Sequence, residues 1–183
     1  MQRCAWCTSD PVYISYHDTE WGVPSRDPRH LFEKLVLEGF QAGLSWLTVL
    51  KKREHFRQVL HNFNPQVLAE LSDERIEQLM LDPGIIRNRL KLQATRRNAR
   101  AWLALPDPVD TIWSFVGGAP VVHHYRLAAD VPATSSQADA MSRYLRKAGF
   151  TFVGPTICHS YLQAIGAFMD HTTGCHRYAA LAR

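Results

Sequence analysis

Apolar residues return every three to four positions through most of this chain, a spacing that predicts helices rather than strands. Asp27-Pro28 supplies a cap and a first-turn proline, after which Leu31, Phe32, Leu35, Val36 and Phe40 share one face. A second helix is expected from about Ser45 to Leu60 and carries the basic stretch Lys51-Lys52-Arg53. Asn64-Pro65 restarts a helix with Val67, Leu68 and Leu71, and Ser72 caps another with Ile76, Leu79 and Met80. Asp82-Pro83-Gly84 reads as a turn, followed by a basic helix with Arg87, Arg89, Lys91, Arg96, Arg97 and Arg100 that ends near Trp102. Pro106, Pro108, Pro120 and Pro132, with Gly117-Gly118, loosen the middle around one short helix at Ile112 to Val116. Ser135-Ser136 caps a helix closed by Gly149, and the last long helix is expected from about Pro155 to Phe168. Only scraps such as Thr151-Phe152-Val153 read as strand. With no repeat, linker or low-complexity tract, the expectation is one all-α domain over residues 1–183.

Composition narrows the class without naming it. Hydrophobic residues make up 46% of the 183 and charged residues 21%, enough for a sizeable core without disulfides or oligomerisation. A net charge of +4, with nine histidines in reserve, permits a polyanionic partner but does not demand one. Met1-Gln2-Arg3-Cys4 turns polar at once, and no apolar run approaches the roughly 20 residues of a membrane span. A cytosolic protein is therefore expected, in which Cys4, Cys7, Cys158 and Cys175 serve as metal ligands or core residues rather than cross-links.

Two groups of residues carry chemistry. Cys4 and His17 lie near one end of the chain, and His171 and Cys175, spaced H-x3-C, near the other. A histidine and a cysteine four apart share a helix face or a turn, and two sulfurs with two nitrogens suit a closed, tetrahedral, structural zinc site. Such a site would clip together ends that otherwise fray. Ordinary core cysteines and surface histidines have the same spacing, and Cys7 and His176 are rival ligands. The second group is Glu38, set in the apolar run Val36-Leu37-Glu38-Gly39-Phe40, with Trp6, Tyr13, Tyr16, Trp21 and Trp46 nearby in sequence. Flat rings stack on nucleobases, and a buried carboxylate accepts hydrogen bonds from a base's amino group. The bland account makes the rings core and turns Glu38 to solvent.

Several blocks decide between these accounts. Cys4-Ala5-Trp6, Tyr13-Ile14-Ser15-Tyr16-His17-Asp18 and Glu20-Trp21-Gly22-Val23-Pro24 closely resemble the constitutive bacterial DNA-3-methyladenine glycosylase I family. So do the stretch from Leu37 to Trp46, Gly84-Ile85-Ile86-Arg87-Asn88-Arg89-Leu90-Lys91, and Phe152-Val153-Gly154-Pro155-Thr156-Ile157-Cys158. The likeness covers essentially the whole chain and is weakest between about Leu105 and Thr134. It implies a helix-hairpin-helix glycosylase fold with one structural zinc on Cys4, His17, His171 and Cys175, leaving Cys7 a bystander. It implies a base pocket of Glu38, Tyr16 and Trp46 walled by Trp6, Tyr13 and Trp21, with Glu38 reading the amino edge of an extruded adenine.

The resemblance also makes Leu44, flanked by Gly43 and Gln41, a wedge that fills the gap in the duplex. Phe150 to Thr156 becomes the hairpin, whose Gly154 and Thr156 would meet a phosphate, with the basic helix adding nonspecific attraction. The expected partner is double-stranded DNA bearing alkylated bases. The chain should act as a monomer, with neither a membrane nor a protein partner implied. Thr156-Ile157-Cys158-His159 lacks the lysine of lyase members, so the expected enzyme hydrolyses the N-glycosidic bond, leaves an abasic site and goes no further. Asp170 has no role in this expectation.

Overall fold

The computed structural model describes residues 1–182. Ten helices account for most of them, as the spacing of apolar residues requires: α1 (Pro11–Thr19), α2 (Pro28–Gln41), α3 (Trp46–Val59), α4 (Pro65–Ala69), α5 (Asp73–Met80), α6 (Arg89–Ala104), α7 (Pro108–Ser114), α8 (Ser136–Lys147), α9 (Pro155–Ala164) and α10 (Tyr178–Leu181). Their starts follow cap chemistry. The side chains of Asp10, Asp27, Asn64 and Asp107, each followed by a first-turn proline, accept from backbone N–H groups of their own helices.

The middle of the fold is α2, in which every residue from Leu31 to Phe40 is buried. A helix buried all round must meet neighbours on every side, and α2 packs against α3, α6, α7 and α9. One large core holds these helices together, with Phe32, Leu35, Phe56, Trp113, Tyr161 and Phe168 fully enclosed. A second, smaller cluster joins Cys4, Tyr16, Trp21, Leu50 and Cys175, and Trp6, Tyr13 and Trp46 pack onto it.

Several expectations change; among them, the short helix expected at Ile112 to Val116 lies at Pro108–Ser114, and Arg87 precedes α6. α1 was not anticipated; it carries Tyr13, Tyr16 and His17 on adjacent turns. The last long helix stops at Ala164 instead of Phe168. Gly166 turns the chain there at φ +72°, and the Val23 and Pro24 backbone occupies the space a Cβ would need, 2.2 Å away. Phe168–Met169 then form a short strand, β2, parallel to β1 (Val121–Val122). Thr151 to Val153 is not a strand: Phe152 adopts φ +56°, and Thr151 bonds the Asn98 side chain in place of a neighbouring strand.

The basic helix also proves to be a brace. Lys91, Arg96, Arg97 and Arg100 donate to the carbonyls of Phe40 and Ala42, Leu71, Gly149 and Ala69, and Arg89 pairs with Glu77. Each of these side chains thus has a structural role within the protein.

Candidate active site

Glu38 is 4% exposed, on the third turn of α2, and among the described residues it accepts no hydrogen bond. Its carboxylate lines a cavity of about 400 Å³ together with Trp6, Tyr13, Tyr16, Trp21 and Trp46. That volume suits a purine-sized ligand with room for part of a nucleotide. Glu33 and Lys34, the other charged residues buried on α2, have partners in Arg57 and Glu20. Burial pushes the Glu38 carboxyl up to about 8, against the pull of the Lys34 ammonium one turn away.

The rings form a connected wall. Trp6 lies 5.1 Å from Tyr13 and 5.0 Å from Trp21, and Tyr16 lies 5.6 Å from Trp46, centroid to centroid. Behind this wall is a half-buried ion network. Glu20 accepts from Arg53 at 2.8 Å, meets His30 at 3.3 Å and pairs with Lys34. Burial opposes the Glu20 charge, yet the His30 hydrogen bond and the Lys34 and Arg53 charges hold its carboxyl well below the usual range. Lys34 Nζ sits 4.4 Å from the Tyr16 ring centroid and 5.6 Å from that of Trp46, and so supports both rings electrostatically.

The opposite wall was not foreseen. Thr156, Ser160 and Gln163 of α9, Asp170 and Thr172, and the apolar residues Ala128 and Val131 to Ala133 complete the cavity. Asp170 is oriented by His123 Nδ1 at 2.6 Å and by Gln163 Nε2 at 2.7 Å. The segment from 128 to 133 lies where the sequence resembles the family least. Lys34 had a readable signal, a lysine four residues before Glu38 on the apolar face of one helix. Asp170 is held by one partner near in sequence, Gln163, and one far from it, His123.

The cysteines and histidines from the two chain ends meet beside the ring wall. Ligand atoms of Cys4, His17, His171 and Cys175 all lie within 4.8 Å of one another, and all four residues are buried. His17 Nδ1 meets Asp18 at 2.7 Å and His171 Nε2 meets the Trp21 carbonyl at 3.0 Å. Each ring therefore spends its N–H outward and turns its other nitrogen toward the sulfurs, and His17 Nε2 also accepts from the Cys4 backbone N–H at 3.2 Å. Burial pushes His171 down to about 4 and the Cys4 thiol up to about 12. Gly22, at φ +76°, lets the His171 ring close to 3.1 Å from where its Cβ would stand. The rival residues lie outside: Cys7 is half-buried and bonds Thr8, and His176 bonds the Gln2 carbonyl. This group could bind a metal. It also touches the cavity wall, for Trp21 packs at 4.6 Å on His171 and Trp6 at 5.2 Å on His17.

Gln41 lines the cavity at the end of α2, and its Nε2 donates to the Leu44 carbonyl at 2.8 Å. Gly43, at φ +79°, turns the chain so that Leu44, 38% exposed, projects from the α2–α3 connection. Gly154 caps α9, and Thr156 in its first turn lines the same cavity as Glu38.

A model of the methyladenine glycosylase family matches residues 6–178. The chain belongs to the methyladenine glycosylase family. It is 50% identical over 182 residues to DNA-3-methyladenine glycosylase 1 of Escherichia coli (strain K12), covering 97% of each chain. The crystal structure of a 3-methyladenine DNA glycosylase I, 50% identical, superposes with a TM-score of 0.94 over 96% of this chain and 98% of the other. A Staphylococcus aureus 3-methyladenine DNA glycosylase I, described in a structural study of 3-methyladenine recognition, is 38% identical with a TM-score of 0.92, covering 96% of each chain. This member of the family is thus a DNA glycosylase.

Proposed function

We propose that the enzyme flips 3-methyladenine out of alkylated duplex DNA and hydrolyses its N-glycosidic bond, leaving an abasic site without a lyase step. One observation carries this reading: the Glu38 carboxylate is buried, without a hydrogen-bonding partner, in a cavity walled by aromatic faces. Such a group is costly unless a ligand supplies donors and positive charge. Methylation at N3 supplies both, because the methylated adenine of the nucleotide is cationic and presents an amino edge. Cations are attracted to ring faces and to carboxylates, whereas ordinary adenine is neutral and stays paired. The names of the E. coli and S. aureus relatives support the same substrate.

A cationic base leaves without first being protonated, so the pocket's task is to hold it out of the stack and stabilise the charge it carries in the enzyme. Tyr16 and Trp46 hold the ring, Trp6, Tyr13 and Trp21 close the wall, and Glu38 reads the amino edge. Among the described residues no lysine lines the cavity, which supports a monofunctional enzyme because a Schiff base has no amine to form on. Leu44 is assigned as the wedge, since an exposed leucine on a glycine turn beside the pocket can fill the space the nucleotide leaves. α8, the loop from 150 to 154 and α9 are assigned as a helix-hairpin-helix element. Gly154 caps α9 without a side-chain bond, so the first-turn N–H groups are open to a phosphate. Arg146 Nη2 lies 3.5 Å from where a Cβ at position 154 would stand, adding charge at that helix end.

The Cys4, His17, His171 and Cys175 cluster is assigned to one zinc ion. Tetrahedral zinc with bonds of about 2.3 Å to sulfur and 2.0–2.1 Å to nitrogen requires S···N edges of about 3.5 Å. Three of the four S···N edges between these side chains are 3.4, 3.5 and 3.5 Å, and all four ligand atoms lie within 4.8 Å of one another. Four protein ligands leave no position for water, so bound zinc supplies cross-linking of the chain ends and no bond-breaking chemistry.

The decisive experiment is chromatography of the bases released from duplex DNA treated with a simple methylating agent. Free 3-methyladenine should dominate, with little release from oxidised DNA. A dominant oxidised base would overturn the reading.

A further inference from the structure

α6 runs behind both elements assigned above to DNA. Lys91 Nζ donates to the Phe40 carbonyl at 2.8 Å and the Ala42 carbonyl at 2.7 Å, near the end of α2 where carbonyls lose their helical partners. Gly43 and Leu44 follow at once. Asn98, two turns further along the same face of α6, makes a two-way pair with Thr151: its Oδ1 accepts from Thr151 N at 2.8 Å, and its Nδ2 donates to the Thr151 carbonyl at 3.0 Å. Arg97 Nε adds a bond to the Gly149 carbonyl at 2.7 Å. The last turn of α2 also touches the second segment, because a Cβ at Gly39 would lie 3.3 Å from Phe152 Cβ.

Neither Lys91 nor Asn98 is placed to meet DNA itself, at 7% and 4% exposure. Burying an ammonium costs desolvation that an apolar residue would avoid, and this one serves only the end of α2.

We propose that Lys91 and Asn98 are positioning residues. Through them α6 holds the Leu44 turn and the loop from 150 to 154 in fixed register, so that wedge and backbone grip engage the duplex together. The inference rests on the wedge and hairpin assignments above.

The test is a double-mutant cycle on single-turnover base release from a duplex carrying 3-methyladenine, using Lys91→Met, Leu44→Ala and the pair. Tryptophan fluorescence measures binding of free 3-methyladenine to the same proteins. Lys91→Met and Leu44→Ala should each slow release by at least about tenfold. The double variant should be no more than about twofold slower than the slower single variant, because both act through one turn. Affinity of Lys91→Met for the free base should stay within about twofold of wild type, since the cavity lining is untouched. Wild-type release by Lys91→Met, losses that multiply in the double variant, or a matching loss of free-base affinity would each overturn the proposal. Wild-type release by Leu44→Ala removes the wedge and the brace together, whereas a slow Leu44→Ala beside a fast Lys91→Met removes the brace alone. Asn98→Ala enters the same cycle if Lys91→Met does not fold, with the same expected and overturning results.

Discussion

Glu38 sets the terms at the scale of single residues. Burial raises its folded-state pKa to about 8, so the folded protein holds the proton more tightly than the unfolded chain does. The stability this contributes is complete below the ordinary carboxylate range and is lost as pH climbs through about 8. Glu38→Gln removes the burden of a buried anion. Thermal unfolding should find the variant more stable than wild type at about pH 8.5, by on the order of 1 kcal/mol or more, with the difference vanishing near about pH 4.5. The same substitution should lower base release by at least about a hundredfold, because the neutral amide offers no charge to a cationic base. In the wild-type enzyme kcat/KM should rise with pH toward a plateau above the free enzyme's Glu38 pKa. A flat profile would take the ionised carboxylate out of the mechanism. Glu38 was legible because a lone acid in an apolar run between tryptophans is anomalous. Lys34 was passed over because lysines on helices are usually solvated, although its spacing from Glu38 marked it as buried.

The two cationic helices separate at the scale of elements. α6 has the more basic sequence, but its arginines serve protein carbonyls, whereas α8 brings Arg146 to the open end of α9. Arg96→Ala with Arg100→Ala should cost about 1–3 kcal/mol in denaturant unfolding and leave the salt dependence of duplex binding unchanged. Arg146→Ala should do the reverse, reducing the slope of log K against log salt by about one contact and leaving stability nearly intact. Periodicity located α2, α3, α6 and α8 because each has a long face against the core. It missed α1, nine residues long, whose aromatic and histidine side chains face a cavity wall and a ligand cluster rather than an ordinary core. It also overran α9, since the stop at Gly166 comes from backbone packed against Val23 and Pro24, a contact between residues far apart in sequence.

For the whole molecule, the question is what keeps a cavity open between two chain ends. One wall hangs on α1 and the loop after it, the other on α9 and the segment after it, and the Cys4–His17–His171–Cys175 cluster joins the two. Metal analysis should find one zinc per chain, and Cys4→Ser with Cys175→Ser should abolish it. Without the metal, hydrogen exchange should quicken in residues 1–22 and 165–182 before α2 and α6 are affected, and the melting temperature should fall. Loss of zinc with both termini still protected would deny the cluster its clamping role. The sequence indicated the cluster and the ring wall, but the far wall from 128 to 133 stayed hidden because it has neither a period nor a distinctive residue set.

Trp6 and Trp21 near the start rest on His17 and His171, while Asp170 and Thr172 near the end close the same chamber. In a nascent chain still on the ribosome, this chamber therefore stays incomplete until residues 170–175 have been translated and packed against the first twenty. Copies ending before residue 170 would lack the Asp170 and Thr172 part of the cavity wall and two of the four members of the Cys-His cluster.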